Sequence, residues 1–222
     1  SNHVYHQGVV IKNVDPKGAK LISIEGKVFL INESQVVLDE QLLVGANPKN
    51  FSVHSRYKDW SFSAGLDHMS GNNSEHYRVY FGSKRLPAVD EGSFTVLSNY
   101  YAKDDNHIFR NDKEVLKEAD SVTFQFVEKD ARFAYDINHV YFINTLNEHV
   151  IEGIDHATLT PLSVSSYVKD KSGIYYIEQY KTVRKLDVDY DSFVTHNYDD
   201  KTQSHAHDKY RNFYDGTEVK ID

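Results

Sequence analysis

The sequence predicts a mostly β protein, an array of about six antiparallel hairpin or meander repeats of roughly 30–35 residues with short helical turns. Three observations support this fold class. A phrase of Asp or Asn, two further residues, Ser, Thr or Asn, and then Phe or Leu occurs five times. A second phrase recurs in step with the first. Aromatic residues make up 13% of the chain without a long helical pattern, which favours short pleated strands.

The first phrase predicts a capped turn followed by a core residue. Its copies end 43, 30, 35 and 34 residues apart, a period typical of repeat proteins. The opening Asp can accept hydrogen bonds from amides two or three positions on, as an N-cap or an Asx-turn does. The Ser or Thr supports the same turn, and the final residue points inward. We therefore expect structural roles for the caps Asp90, Asp120, Asp155 and Asp189 and for the anchors Phe51, Phe94, Phe124, Leu159 and Phe193.

The second phrase predicts the strands that follow, and residues 100–129 carry its clearest copy. Tyr101-Ala-Lys predicts a strand, and Asp104-Asp-Asn is typical of a turn. The segments 107–110 and 114–116 predict two further strands. Each copy places an aromatic residue five positions after its Asp, and residues 29 and 80 lie in degenerate copies. These aromatics should form a second buried set: Phe29, Tyr80, Phe109, Tyr141, Tyr175 and Phe213.

The repeats predict one domain that covers most of the chain. We assign residues 1–8 to a flexible N-terminal segment and residues 9–222 to a single β-repeat domain. Because one hairpin unit cannot bury its apolar face alone, neighbouring units must stack. The array is either open or closed like a propeller. The predicted units are 9–56, 57–99, 100–129, 130–165, 166–200 and 201–222.

Together the two phrases resemble the DKNYY repeat family of bacterial proteins. The family pattern is matched by the segments 104–109, 118–124, 136–142 and 170–176. The resemblance is good over residues 77–193 and weak over 9–56 and 204–222. It implies a repeat fold without established catalytic residues, and export or membrane anchoring in bacteria. Some similar proteins are encoded beside polymorphic toxins, which implies an immunity role.

Composition and charge exclude several function classes. The net charge of −8, without a concentrated Lys/Arg stripe, argues against nucleic-acid binding and suits a basic protein partner. The chain has no cysteine, so disulfides and cysteine-based zinc sites are excluded. No apolar run reaches the roughly 18 residues that a membrane helix requires.

The compartment is inferred from the resemblance and from the first residues. The chain opens with Ser1-Asn-His3 rather than with Met, and we expect a signal peptide or anchor to have been removed. The bacterial cell envelope or periplasm is the favoured location, and the cytoplasm is the alternative.

Several patterns invite a metal or catalytic interpretation, and each has a better structural one. Asp187–Asp191 resembles the start of a calcium loop, but the required Gly and Glu are absent from later positions. His205 and His207 alternate as metal ligands could, yet they stand at degenerate repeat positions and lack a specified third ligand. Ser55–Lys58 and Ser166–Lys169 fit a nucleophile motif that normally opens a helix, whereas both lie on predicted strands and turns. We therefore expect no catalytic residue, no metal site and no cofactor.

The row formed by Asp104, Asp136 and Asp170 is also explained by structure rather than by catalysis. A catalytic site needs a unique constellation of groups with displaced pKa values, whereas these residues recur in every unit. The recurring turn accounts for them.

Residues 60–76 are the least repetitive segment, and they contain an insertion of about ten residues. The segment holds the only Trp and the only Met of the chain. Insertions in repeat arrays form loops on one face, often the binding face. The candidate binding residues are therefore Trp60, Phe62 and Met69, together with Asp199 and Asp200 in an acidic turn. For Trp60 and Phe62 an ordinary core position is the alternative, and for Trp60 it is the favoured one.

These observations predict a non-enzymatic protein that binds another protein. The specific hypothesis is an immunity protein that neutralises a bacterial polymorphic toxin, with a basic toxin domain as the partner. The alternative is a cell-envelope module that binds carbohydrate or peptidoglycan through exposed tyrosines in a groove. A metal-dependent hydrolase is the third and weakest interpretation.

Overall fold

The computed structural model describes residues 3–24, 26–66, 75–128, 130–144, 147–164, 166–178 and 182–220. Strands make up 48% of the chain and helices 3%, so the predicted mostly β fold class is confirmed. The strands form seven small antiparallel sheets, numbered I to VII here, and no sheet of the described residues closes into a barrel. In every sheet each strand pairs with its neighbours in sequence, so each sheet is a meander.

The chain divides into two compact units, residues 1–117 and residues 118–222. The first unit contains sheets I to IV. Sheet I consists of β1 (Val4–His6) and β2 (Val9–Ile11), and sheet II of β3 (Lys20–Ile24), β4 (Lys27–Ile31), β5 (Val36–Leu38) and β6 (Gln41–Leu42). Sheet III consists of β7 (Phe51–Val53), β8 (Trp60–Leu66), β9 (Glu75–Phe81) and β10 (Lys84–Arg85), and sheet IV of β11 (Thr95–Val96), β12 (Tyr101–Lys103), β13 (Ile108–Arg110) and β14 (Lys113–Val115).

The second unit contains sheets V to VII. Sheet V consists of β15 (Gln125–Val127), β16 (Asp130–Tyr135), β17 (Val140–Ile143) and β18 (Glu148–Ile151), and sheet VI of β19 (Thr160–Pro161), β20 (Tyr167–Asp170), β21 (Gly173–Glu178) and β22 (Thr182–Lys185). Sheet VII consists of β23 (Val194–Asp199), β24 (Ser204–His207), β25 (Asn212–Tyr214) and β26 (Thr217–Val219). Short 3-10 helices at Pro48–Asn50 and His156–Thr158 precede sheets III and VI.

Each of sheets III to VII begins where a copy of the first phrase ends. Phe124 directly precedes β15, and Phe193 directly precedes β23. The sheets therefore run from one phrase to the next, whereas the predicted unit 100–129 begins at the second strand of sheet IV. Val4–His6, within the segment expected to be flexible, forms β1, because Val4 packs with a small core between sheets I and II. The single domain over residues 9–222 stays a prediction.

Within each unit, consecutive sheets bury apolar faces against each other. In the second unit, Phe133 of sheet V packs with Val168 and Tyr175 of sheet VI. The opposite face of sheet VI presents Tyr167 to Phe213 of sheet VII. A sheet with neighbours on both sides therefore buries the side chains of both its faces. Each large apolar side chain removed from water stabilises the fold by about 1.5–3 kcal/mol. The first unit repeats this arrangement through three further clusters.

The two sets of repeated aromatic and apolar positions lie in these clusters. Phe124 and Phe193 are buried. Phe51, Phe94 and Leu159 are half-buried and pack against the cores of their sheets. The second set is buried throughout, with exposed fractions of 0–5% for Phe29, Tyr80, Phe109, Tyr141, Tyr175 and Phe213. Each of sheets III to VII thus contributes one anchor from its phrase and one aromatic from its third strand, whereas Phe29 lies on β4, the second strand of sheet II.

The turn between β25 and β26 shows how closely neighbouring sheets fit. Gly216 has a positive φ of 69° in this turn. Its amide donates to the Tyr167 hydroxyl at 2.7 Å, and its carbonyl oxygen accepts from Arg184 at 2.8 Å. A Cβ atom at this position would lie 2.6 Å from Cγ of Tyr176 and 2.8 Å from Nη2 of Arg184. Glycine is therefore required both by the backbone conformation and by the close approach of sheet VI.

We expect Gly216→Ala to lower the free energy of unfolding by more than the roughly 1–2 kcal/mol that a left-handed backbone costs a residue with a Cβ. The additional loss comes from the collision with Tyr176. Gly153→Ala is the matched control, because Gly153 has a φ of 80° and a Cβ atom added there would have nothing within 4 Å. Urea unfolding of both variants measures the difference. Equal losses would show that the contact with sheet VI is not tight.

Candidate protein-binding surface

A buried carboxylate closes the second strand of each of sheets IV to VII, and it is the polar centre of the repeat. These residues are Asp104, Asp136, Asp170 and Asp208, with exposed fractions of 1–4%. In each, Oδ1 accepts hydrogen bonds from two amides of the following turn, and Oδ2 accepts one from the amide of the preceding cap. The donor–acceptor distances are 2.6–3.0 Å. The carboxylate therefore joins the cap to the hairpin.

In three of these sheets the hydrogen bonds lower the pKa of the buried carboxylate, at Asp104, Asp136 and Asp208. Burial by itself raises the pKa of Asp136, but hydrogen bonds from the Tyr141 hydroxyl and from the amides of Asp120, Asn138 and His139 outweigh it and lower the pKa. Similar hydrogen bonds outweigh burial and lower the pKa of Asp104 in sheet IV and of Asp208 in sheet VII. A carboxylate that is ionised and surrounded by its own backbone donors holds structure, and it has no proton to give near neutral pH.

The caps use their side chains as the first phrase predicts. Oδ1 of Asp120 accepts from the amide and the hydroxyl of Thr123, both at 2.8 Å. Oγ1 of Thr123 in turn accepts a hydrogen bond at 3.0 Å from the amide of Ile137, a residue of the next turn. Asp189 makes the same contacts with Ser192, and hydrogen bonds from Lys209 and Ser192 lower the pKa of Asp189 to about 2. Both polar positions of the phrase therefore connect the cap to the hairpin that follows it.

Sheet III departs from this pattern and extends its central hairpin. Ser63 occupies the position of the buried carboxylate, and its Oγ accepts from the amide of Asn47 at 2.6 Å. A serine has only one side-chain oxygen, so it cannot also accept hydrogen bonds from two turn amides as a carboxylate does. The chain does not turn here. Instead β8 and β9 continue to pair through Ala64–Tyr77, Gly65–His76 and Leu66–Glu75. We name the paired segments 64–66 and 75–77 the hairpin arm; it begins four residues later than the segment at 60 expected from the sequence.

Sheet II carries a sixth, degenerate copy of the same connection, which the sequence patterns missed. Asn32 takes the buried position, and its Oδ1 accepts from the amides of Ser34 and Gln35 at 2.8 and 2.7 Å. Its Nδ2 donates to the carbonyl oxygen of Asp15 at 2.7 Å. The amide of Asp15 is bound instead by the Gln35 side chain. Asp15-Pro-Lys-Gly-Ala therefore acts as the cap, although it lacks both the hydroxyl and the large anchor.

One face of sheet VII collects histidine and tyrosine side chains. We name it the histidine–tyrosine face; it consists of His196, Tyr198, His205, His207 and Tyr214. Ring centroids lie 5.3 Å apart for His196 and His207, 4.8 Å for His205 and Tyr214, and 5.8 Å for Tyr198 and Tyr214. The exposed fractions of Tyr198 and Tyr214 are 55% and 44%. The His205 side chain is only 12% exposed and packs edge-on against Tyr167 of sheet VI, with ring centroids 5.4 Å apart, so Tyr198, His207 and Tyr214 form the accessible part of the face.

The equivalent positions of sheets V and VI are core. Phe133 and Tyr167 stand where sheet VII has His205, and each is fully buried against the next sheet along the chain. In the part of the chain that the structure describes, no further sheet packs on the histidine–tyrosine face. The polar ring of His205 therefore replaces a fully buried aromatic one at a position that is only partly exposed in sheet VII.

Carboxylates lie at one edge of this face. The hairpin turn between β23 and β24 contains Asp199, which is half-buried, and Asp200, which is exposed. A groove of about 340 Å³ is lined by His196, Asp199, Thr202, His207 and Asn212. Residues 187–222 hold nine acidic and four basic side chains, so much of the net charge of −8 lies in this part of the chain. The surface combines aromatic rings with negative charge.

The residues predicted for binding lie in three different places. Trp60 is fully buried between sheets III and IV, and its indole N–H is 3.1 Å from the carbonyl oxygens of Ser98 and Asn99. Phe62 is half-buried and packs on Phe94, so both aromatics take the core alternative. Met69 lies outside the described residues. Asp199 and Asp200 lie beside the histidine–tyrosine face.

Sequence reasoning missed the face itself, although one signal was present. His205 stands where other repeats carry a buried aromatic residue, and a polar ring at such a position indicates a face that is less completely covered. The structure places Asp215 3.0 Å from Nε2 of His205. Among the residues it describes, no three metal-ligating side chains come together. None of the described helices is long and apolar enough to span a membrane.

Comparison with known proteins identifies the family. A model of the DKNYY family matches residues 1–145. The chain belongs to the DKNYY family. Sheets VI and VII lie beyond the matched residues, yet Asp170 and Asp208 make the contacts of the matched repeats, so the DKNYY architecture continues through them. No curated protein and no solved structure matches this DKNYY chain.

The buried carboxylate predicts an acid-sensitive contribution to stability. We expect Asp136→Asn to lower the free energy of unfolding by about 2–4 kcal/mol at pH 7, because an amide cannot accept all of these hydrogen bonds. The folded-state pKa lies below the unfolded value of about 3.9, so this contribution is full above that value. It is lost as the pH falls through the lower folded-state pKa.

Urea unfolding at pH 7 and pH 3 tests this prediction. The difference between wild type and Asp136→Asn should shrink at the lower pH. Asp200→Asn, at an exposed turn position, is the control and should change stability by less than about 0.5 kcal/mol. A pH-independent difference would contradict the assignment.

Proposed function

We propose that this DKNYY protein is a non-enzymatic binding protein, and specifically an immunity protein that binds and neutralises a bacterial polymorphic toxin. The observation that carries the proposal is the histidine–tyrosine face with Asp199 and Asp200 at its edge. Exposed tyrosines surrounded by polar groups are typical of the anchor residues of protein interfaces. The immunity role and a cell-envelope or periplasmic location rest on the family resemblance.

The charge of this region supports a basic partner. Asp200 is exposed and forms no ion pair within the described part of sheet VII. Free carboxylates beside aromatic rings attract Lys and Arg side chains, and complementary charge increases the association rate. A basic toxin domain therefore suits this surface better than an acidic or a neutral protein.

The hairpin arm supports binding from a second place in the fold. It is the one described hairpin in which pairing continues past the position of the buried carboxylate. Segments that depart from a repeat are free of the packing requirements of the array, and they commonly carry recognition. The arm lies in the first unit and the histidine–tyrosine face in the second.

One observation favours carbohydrate binding as a second candidate function. Tyr198 and Tyr214 are exposed beside a groove that includes Asp199 and Asn212. Aromatic faces stack on sugar rings, and carboxylate and amide groups accept and donate hydrogen bonds to hydroxyls. The other aromatics of the two repeated sets are buried or half-buried, so they do not form an exposed row for sugar binding.

The test uses the purified toxin domain encoded beside the gene for this protein. We expect saturable binding by calorimetry at micromolar concentration or below, and survival of cells that co-express both proteins. Tyr198→Ser and Asp200→Lys should each weaken binding by about tenfold, which corresponds to about 1.4 kcal/mol. Glu152→Lys makes the same charge change at an exposed position outside sheet VII and should leave binding within about twofold.

The outcomes separate the two functions. Absence of binding together with absence of protection would contradict the immunity proposal. Binding of peptidoglycan fragments that is lost in Tyr198→Ser but unaffected by Asp200→Lys would establish the carbohydrate alternative.

A further inference from the structure

The cap and the hairpin turn of each of sheets IV to VII meet through one hydrogen bond, so their side chains can be compared from sheet to sheet. The hydroxyl of the cap accepts from the amide of the residue that follows the buried carboxylate. The four pairs, at 2.9–3.0 Å, are Ser93 with Asp105, Thr123 with Ile137, Thr158 with Lys171, and Ser192 with Lys209. Ile137 of sheet V therefore occupies the place that a charged residue has in the other three sheets.

Sheet V exposes two large apolar side chains at this edge. Ile137 is 61% exposed, and so is Val122, which directly precedes Thr123 in the cap. The hydrogen bond between Thr123 and Ile137 holds cap and turn together, so the two apolar side chains belong to the same edge of the sheet. The residues at the place of Val122 in sheets IV, VI and VII are Gly92, Ala157 and Asp191. Apolar side chains exposed together where other repeats have small or charged residues indicate a contact surface.

The isoleucine also leaves the cap carboxylate of sheet V without a cation. In sheet VI, Lys171 forms an ion pair with the cap residue Asp155, and in sheet VII Nζ of Lys209 lies 2.8 Å from Oδ2 of Asp189. The cap residue of sheet V is Asp120, which uses its Oδ1 for the hydrogen bonds of the cap. None of the Lys and Arg side chains that the structure describes forms an ion pair with Asp120. Oδ2 of Asp120 therefore lacks the counter-ion that the following caps have.

A basic partner can supply what is missing at this edge. An apolar side chain placed on Val122 and Ile137 removes apolar area from water, and an ammonium group beside it takes the place of the internal lysine. The charge of the second unit favours such a partner, because residues 118–222 hold 19 acidic and 11 basic side chains and so carry the whole net charge of −8. A small apolar contact with a charge pair at its border is typical of interface anchors.

We propose that Asp120, Val122 and Ile137 form a docking site, the sheet V edge, for a basic partner protein that presents a lysine beside an apolar side chain. The ammonium group pairs with Oδ2 of Asp120, and the apolar side chain packs on Val122 and Ile137. Charge complementarity selects the partner, and the apolar contact supplies affinity. The sheet V edge is separate from the histidine–tyrosine face, and it requires a basic partner but not a toxin.

The probe is the peptide acetyl-Leu-Lys-Leu-amide. Its control carries norleucine in place of lysine, which keeps the hydrocarbon chain and lacks the ammonium group. Amide chemical shifts of the isotope-labelled full chain follow each titration. We expect saturable shifts at Val122, Thr123 and Ile137 with a dissociation constant of about 1 mM, which suits so small a probe. The norleucine peptide should bind at least about fivefold more weakly, because it forms no ion pair with Asp120.

Two variants of the protein locate the site. Ile137→Lys reproduces the arrangement of sheets VI and VII, so the protein's own ammonium group pairs with Asp120, and probe binding should fall at least about tenfold. Val122→Ser removes part of the apolar contact and should weaken binding about threefold. Val44→Lys is the matched control, because Val44 is 68% exposed in the first unit and receives the same charge change; it should leave binding unchanged. Urea unfolding establishes that each variant keeps the fold.

Four results would overturn the proposal. They are the absence of saturable shifts up to about 10 mM probe, equal binding of the norleucine peptide, unchanged binding in Ile137→Lys, and a dimer of the chain that Ile137→Lys dissociates. In the last case a second copy would occupy the sheet V edge. Asp200→Lys should leave probe binding unchanged, and none of these measurements uses the toxin domain. The two proposals therefore fail separately.

Discussion

The structure depends on one buried carboxylate in each of sheets IV to VII. Its two oxygens bind three backbone amides, two in the hairpin turn that follows and one in the cap that precedes the sheet, as Asp136 does for Asn138, His139 and Asp120. Burial by itself raises the pKa of Asp136, but the hydrogen bonds from these amides and from the Tyr141 hydroxyl outweigh it and lower the pKa. The same side chain thus closes a local turn and fixes the longer connection between cap and sheet.

Changes at this position show what the carboxylate contributes. Asn32 accepts hydrogen bonds from the two turn amides, and the turn is present. The cap amide of Asp15 donates to the Gln35 side chain instead of to Asn32. Ser63 keeps the cap amide, and the hairpin continues as the arm. One oxygen of the carboxylate therefore specifies the turn and the other specifies the cap. The repeat can lose either function at a single site without losing the sheet.

The surfaces proposed for binding lie outside the stacked faces of the sheets. A sheet with neighbours on both sides uses both of its faces as core, as sheet VI does, and this leaves few side chains for recognition. Sheet VII buries Ala206 and Phe213 on one face and exposes Tyr198 and Tyr214 on the other. The cap and turn of sheet V expose Val122 and Ile137 at an edge of the sheet rather than on a face. Recognition by this protein is therefore inferred at the margins of its packed sheets and along the arm.

The sequence by itself determined the fold class, the capped turn and the buried aromatic positions, because each depends on local chemistry that recurs: an Asp that accepts nearby amides, and an aromatic residue at a constant distance from it. Only the tertiary structure decided that Trp60 is core and that Asp199 lies beside a patch of histidine and tyrosine rings. Exposure depends on whether another sheet covers a face. A strand with alternating residues looks the same in sequence whether or not its outward side chains are covered.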